Sequence, residues 1–297
     1  MTIAISLVVG DGVVLGTDSA TSIVLPGERY HNIYGNAEKT INLVKGLPLG
    51  LMTFGLGSLG PLSVASVARI LREDLSGLST SPVVPSLDPS RYTVEEVAGR
   101  VKEFFYDEVY RSLYPSDLPA DRPFEEEPDP HEPVPEYPAL GFVIAGFSAG
   151  SYYPEVWTVL IGPDGQCTEP ELRVPATTAG VIDFWGQPEA LNRLVYGWSR
   201  ETQDRLIEAG LAPEVANSIL VSETKLAHPG MPIQDAIDLV SYLADVTAGY
   251  MRFRPGIPTV SAPIDIAVIT RFQGFKWVRR KNYYPSHLNP AEAILRQ

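Results

Sequence analysis

The chain has 297 residues, 44% of them hydrophobic and 20% charged, with a formal net charge of −13. That length and balance describe a globular protein with a sizeable buried core, as one large domain or two small ones, while the acidity argues against nucleic acid or anionic lipid as a partner. A lone cysteine, Cys167, rules out an internal disulfide and fits a reducing compartment, and no run reaches the roughly 18 apolar residues of a membrane span.

The start of the chain lacks a basic region, and Asp11 interrupts its apolar run early, so it does not read as a signal peptide; a cytoplasmic location is expected. Residues 2–9 and 13–18 are apolar runs around "GDG", a tight β-hairpin signal. "ERYHNIYGNAE" (28–38) reads as a polar excursion. "KTINLV" (39–44) and "LGLMTF" (49–54), joined by "KGLP", predict a second hairpin. Beyond the glycine-rich "GLGSLG", the spacing of Val64, Val67, Ala68 and Leu71 predicts a helix starting near Pro61. A second helix is predicted over 93–114, with Thr93 and Glu96 as a capping box. Residues 115–138 hold eight prolines and eight acids, which excludes helix and central strand and predicts an exposed acidic insertion.

Strands follow at 139–147 and 154–165, again as a hairpin. Cys167 lies in the turn-rich "GPDGQCTEP" with no histidine nearby and reads as structural. Helices are predicted over 187–201 and 232–250, and strands over 263–270 and 275–280. The order of strands, two helices, strands, two helices and strands predicts an α+β fold of antiparallel sheets covered by segregated helices. There is no repeat, no Rossmann or P-loop glycine motif and no metal cluster, so no cofactor or metal is expected. His31, His131, His228 and His287 all sit in polar, Gly/Pro-rich surroundings and read as surface residues.

Hairpin geometry brings distant residues together. A turn at Gly10–Gly12 pairs residues whose numbers sum to about 21–23, which places Thr2 and Asp18 near one end of a sheet. The second hairpin pairs Lys39 with about residue 54, beside Gly55. Spacing alone gives two pairs and does not show that they meet. Each residue also has a plainer role open to it: a strand end for Asp18, a solvated strand start for Lys39, a sharp turn for Gly55.

Four stretches resemble the β-type subunits of proteasomes and their bacterial relatives, Anbu-type proteins among them, which are N-terminal nucleophile hydrolases. "GDGVVLGTDSAT" is similar to that family's "kDGVVlaaDsraT", "AEKTINL" to "xxKixxi", "MTFGLGSLG" to "mtxAGsaaD", and "VSAPIDIAVI" to the Anbu-type "VGxPIDL" strand. The sixteen-residue interval before the family's aspartate lands on Thr2. The resemblance spans nearly the whole chain as one domain, with 115–138 and roughly 211–230 as insertions. It implies a four-layer αββα sandwich and a homo-oligomeric ring or spiral, and it leaves room for an ATPase partner. Carried over by position, Thr2 is the nucleophile, Lys39 contacts its hydroxyl, Asp18 holds Lys39, Gly55 gives the oxyanion-hole amide, and Ser261 lies near the threonine amine. Two positions depart from the pattern: Trp185 in "FWGQ" stands where the family has a serine, and Pro258 where it has an aspartate. Asp245 and Asp265 are the substitutes that remain for that aspartate.

The chemistry explains these residue types. A threonine hydroxyl needs a base, and a free α-amine with a pKa of about 7.7–8 supplies one on the same residue. Initiator methionine is usually trimmed before a residue as small as threonine, so Met1 is expected to leave. The expected activity is a threonine-type peptidase acting on peptide or unfolded protein. Another amidohydrolase of the acylase or small-peptide amidase kind, and an inactive ring subunit, are the alternatives.

Overall fold

The structure is a computed structural model and describes residues 2–24, 31–115, 137–220, 224–255 and 260–281. The first apolar run forms β1 (Ile3–Val9), turns at Gly10 and Asp11, and returns as β2 (Gly12–Thr17). Ala4 pairs with Thr17 and Val9 with Gly12, the low edge of the expected register. β3 (Thr21–Val24) pairs with β4 (His31–Tyr34), so part of the predicted polar excursion is a strand. It forms a two-stranded ribbon rather than joining a buried sheet, which is why it carries no hydrophobic alternation.

β5 (Thr40–Asn42) and β6 (Leu49–Gly55) form the second hairpin. Thr40 faces Met52, and the Thr53 N–H donates to the Lys39 carbonyl at 2.8 Å, so Lys39 sits opposite residue 53, one position earlier than expected. A small hairpin of β7 (Ser58–Leu59) and β8 (Leu62–Ser63) precedes α1 (Val64–Leu75). The helix therefore starts beyond Pro61, at the point where Ser63 Oγ accepts from the Ser66 N–H at 3.1 Å and caps it. α2 (Val94–Lys102) is capped by Thr93, whose Oγ1 accepts from the Glu96 N–H at 3.0 Å. The Glu96 carboxylate pairs with Arg100. The helix then widens into a π-helical stretch, Glu103–Tyr110, and closes with α3 (Arg111–Leu113). The acidic insertion at 115–138 lies almost wholly outside the described residues.

β9 (Leu140–Gly146) and β10 (Glu155–Ile161) pair as predicted, and Glu155 faces Gly146. The sequence signals missed β11 (Glu171–Val174), three of whose four residues are exposed, and β12 (Val181–Gly186). The helix predicted over 187–201 is split. α4 (Glu189–Leu191) continues as π-helical Asn192–Tyr196 and stops at Gly197, and α5 (Arg200–Glu208) begins afresh behind the Ser199 cap. α6 (Pro213–Leu220) occupies the stretch read as a second insertion. α7 (Ile233–Phe253), β13 (Asp265–Thr270) and β14 (Gly274–Arg279) match expectation to within a few residues.

Two five-stranded antiparallel sheets result, ordered β12-β1-β2-β13-β14 and β11-β10-β9-β6-β5. Strand alternation gives each sheet two apolar faces. Ala4, Val8 and Leu15 of the first sheet meet Met52, Val143 and Ala145 of the second in the middle layer. Ile3, Ile5 and Leu7 point the other way, onto Ala236, Val240 and Ala244 of α7. Leu51, Phe142 and Ile144 pack outward against Val67 and Leu71 of α1 and Val97 and Val101 of α2. The layers run helix, sheet, sheet, helix, the α+β sandwich expected. Each fully buried Val, Leu or Ile contributes about 1.5–3 kcal/mol, so the three apolar layers dominate the stability.

Among the described residues no helix is long and apolar enough to cross a membrane. Cys167 packs half-buried against the outer core, where burial pushes its thiol up to about 12, too high for a nucleophile at neutral pH. Phe104 and Phe105 are buried in the same core and stack edge to face.

Candidate active site

The two hairpins do meet. β2 and β5 lie on facing sheets, and the Thr17 and Thr40 hydroxyls hydrogen-bond across the gap at 2.9 Å. Asp18, which follows Thr17, and Lys39, which precedes Thr40, are joined: Lys39 Nζ donates to Asp18 Oδ1 at 2.7 Å and to Thr2 Oγ1 at 2.7 Å. All three side chains are buried. Burial disfavours the ammonium and pulls the Lys39 pKa below its ordinary value; the Asp18 carboxylate opposes this. Asp18 is itself held on both oxygens. Oδ1 also accepts from the Ile3 N–H at 3.1 Å, and Oδ2 from the N–H groups of Ala20 at 2.9 Å and Ser261 at 3.3 Å. A carboxylate with these donors stays in place, and through Lys39 it fixes the Thr2 hydroxyl.

Thr2 is also anchored through its main chain. Its carbonyl accepts from the Gln187 N–H at 2.8 Å, directly after β12. Gly186, at φ +94°, lets that approach happen: a Cβ there would lie 1.9 Å from the Thr2 carbonyl oxygen.

Gly55 lies at the end of β6 with φ +93°, and a Cβ would meet the Ala139 carbonyl at 2.4 Å. Only glycine fits that backbone. The Thr53 N–H donates to Lys39 on the β5 edge and the Leu56 N–H to Ala139 on the β9 edge. Alternation thus puts the Gly55 N–H on the β5 edge, which stops short of it. Gly55 shares a small hollow with Thr2, Lys39 and Thr53.

Ser261 reaches the site through its backbone. Its N–H goes to Asp18, and its carbonyl accepts from the Ser19 N–H at 3.2 Å. Of the two substitute acids, Asp245 lies exposed on α7, 3.8 Å from Arg279, and is not part of the cluster. Asp265 is fully buried and forms a second ion pair with Lys281, whose main-chain N–H also donates to Asp265 Oδ1 at 2.9 Å. Lys281 Nζ donates to Ser19 Oγ at 2.6 Å, and Ser19 Oγ donates to the Pro263 carbonyl at 2.5 Å. Sequence reasoning missed Lys281. The signal was present: the β13–β14 hairpin returns residues 279–281 to the start of β13, where Asp265 lies.

Trp185 turns between the sheets and stacks on Phe54, with centroids 6.3 Å apart, which is a packing role. His228 is exposed; the side chains of the other three histidines and Pro258 lie outside the described residues. Among the described residues there is no metal-ligating cluster.

The small hollow opens into a cleft of about 1080 Å³, and Thr21, Ala37, Glu38 and Gly57 line both. Arg69 of α1 and Arg280 complete one wall of the cleft.

No protein-family model and no curated protein matches the chain. Solved structures similar to it include a Gly-1 mutant of Anbu from Hyphomicrobium sp. strain MC1, at 16% identity and TM-score 0.49, over 95% of this chain and 86% of that one. Anbu from the same strain is similar at 15% identity and TM-score 0.48, over 94% and 88%. Anbu, described as an ancestral beta-subunit, from Yersinia bercovieri is similar at 11% identity and TM-score 0.43, over 93% and 86%.

Proposed function

We propose that the protein is an N-terminal threonine hydrolase that cleaves peptide amide bonds through an acyl-enzyme on Thr2 once Met1 has been removed. The observation that carries this reading is the single ammonium of Lys39, held 2.7 Å from both the Thr2 hydroxyl and the Asp18 carboxylate inside a buried cluster. A buried lysine on a hydroxyl serves no structural need that a neutral side chain would not meet at lower desolvation cost.

In this mechanism the α-amine of Thr2 takes the hydroxyl proton as Oγ1 attacks the amide carbon. Lys39 stabilises the developing alkoxide, and the Gly55 N–H faces the oxyanion, a contact worth about 3–4 kcal/mol in comparable sites. Collapse breaks the C–N bond, and the stored proton passes to the leaving amine, which leaves an ester on Oγ1. Water then attacks the ester, the α-amine takes its proton, and the acid is released with the threonine restored. Ser261 acts as a positioning residue for Asp18. The size of the cleft favours a peptide over a small amide, since about 1080 Å³ holds several residues. Assembly into a homo-oligomeric ring in the cytoplasm belongs to the same proposal and rests on the sequence resemblance.

Intact-mass analysis before and after a β-lactone electrophile tests the reading. The expected result is a chain lacking Met1 that gains one adduct, located on Thr2 and lost in Thr2→Ala. A native chain that keeps Met1, or an adduct that persists in Thr2→Ala, would remove it.

A further inference from the structure

Glu38 precedes Lys39 but turns to the opposite side, into the wall of the cleft. Its Oε1 accepts from Arg280 Nη2 at 2.8 Å and its Oε2 from Arg69. The carboxylate is almost fully buried at 6% exposure, whereas the guanidinium-bearing side chains are 39% and 40% exposed. Arg280 is further oriented by stacking on Trp277, with its guanidinium carbon 4.8 Å from the ring centroid.

Charge decides what this arrangement favours. Lys39 is balanced by Asp18, and Lys281, also on the cleft wall, by Asp265. Glu38 carries one negative charge against two arginines, so among the described residues the cleft keeps one excess positive charge. The molecule as a whole carries −13. A structural brace from Glu38 to α1 and to the end of β14 takes one bond from each arginine, which leaves most of their N–H groups over. Two planar guanidiniums, each with five donors and half open to the cleft, present further N–H groups in the geometry that receives a carboxylate.

We propose that this arginine pair binds a carboxylate carried by the substrate close to the amide that Thr2 attacks, so that the enzyme selects acidic peptides. The proposal rests on Thr2 being the nucleophile. Glu38 then has a defined role, which is to hold both arginines in place and lower their combined charge to one.

The experiment compares fluorogenic peptides with Glu or Gln at each of the three positions before the scissile bond, and an N-acyl dipeptide with a free carboxylate against its carboxamide. β-Lactone labelling of Thr2 is run in parallel. The Glu peptide is expected to be preferred about tenfold in kcat/KM at one position, mainly through KM, the effect of one charge-assisted contact in a half-open cleft. The ratio should fall towards one in Arg69→Gln with Arg280→Gln. Should those variants fold poorly, the wild-type preference must still weaken as salt is raised. A preference confined to the free-carboxylate dipeptide assigns the site to a chain terminus; one confined to Glu assigns it to a side chain. Equal cleavage of all pairs with normal labelling overturns the selectivity and leaves the hydrolase standing. Loss of both cleavage and labelling overturns both.

Discussion

The Thr2 hydroxyl oxygen accepts a 2.7 Å hydrogen bond from the ammonium of Lys39, a residue 37 positions further along the chain. Lys39 shares that ammonium with Asp18, so the three groups form one electrostatic unit, and removing one member strands the others. Lys39→Met leaves a buried carboxylate without its counter-charge and should destabilise the fold by about 3–5 kcal/mol. Combining Lys39→Met with Asp18→Asn should recover most of that stability and none of the activity. Urea midpoints of the wild type and the two variants, read beside Thr2 labelling, check this; a double variant no more stable than Lys39→Met refutes the coupling.

The pH dependence follows from two charges. Activity should rise with pH through the α-amine range near about 8 and fall again as Lys39 loses its proton, below the free-lysine value of about 10.5. Lys281 lowers the Lys39 pKa and Asp265 raises it. Lys281→Met should therefore move the alkaline limb of kcat/KM to higher pH, and Asp265→Asn to lower pH. Limbs that stay fixed in both would disprove the coupling.

Stability should move the opposite way over the same alkaline range. Because the folded-state pKa of Lys39 lies below its unfolded value, the native state binds fewer protons between the two. Stability arising from this residue should rise as pH climbs through that window towards about 10.5. In Lys39→Met that slope should disappear from urea titrations across the alkaline range.

Gly186→Ala should damage function more than a comparable glycine change elsewhere. Its Cβ would collide with the Thr2 carbonyl at 1.9 Å, whereas Gly46, at the similar φ of +90°, has open space around it. Both variants bear the strain of positive φ, about 1–3 kcal/mol. Only Gly186→Ala should cut the rate of Thr2 labelling, by tenfold or more. Equal labelling rates in the two would contradict the anchoring role given to the Gly186–Gln187 step.

Trp185→Ser installs the residue that the sequence resemblance leads one to expect. Since the indole stacks on Phe54 between the sheets, the change should cost roughly 2–3 kcal/mol and bring no gain in cleavage rate. Thermal unfolding and kcat/KM together decide it.

The hairpin-borne half of the site was legible in the sequence. β1–β2 and β5–β6 are local elements with clear turn signals, and counting across their turns put Asp18 and Lys39 within a residue or so of their observed places. The anchors from afar were not. β12, which packs along β1 and holds Thr2, lacks strong alternation and follows the exposed β11, so no local signal marks it. Ser261 approaches Asp18 through a backbone N–H, which any residue but proline could provide, so its identity carries little information. Glu38 with Arg69 and Arg280 joins three distant segments of the chain by side-chain charge alone. No periodicity reports such a cluster. The split falls at Gly197, a glycine inside the stretch 187–201 whose sequence predicts one helix.

The Thr2 carbonyl is tethered by Gln187, and the Asp18 carboxylate by Ser261, both synthesised long after the residues they steady. A chain made only as far as the two hairpins holds Thr2, Asp18 and Lys39 but neither of these tethers. The placement of Thr2 is thus a property of the completed fold and not of the two hairpins alone.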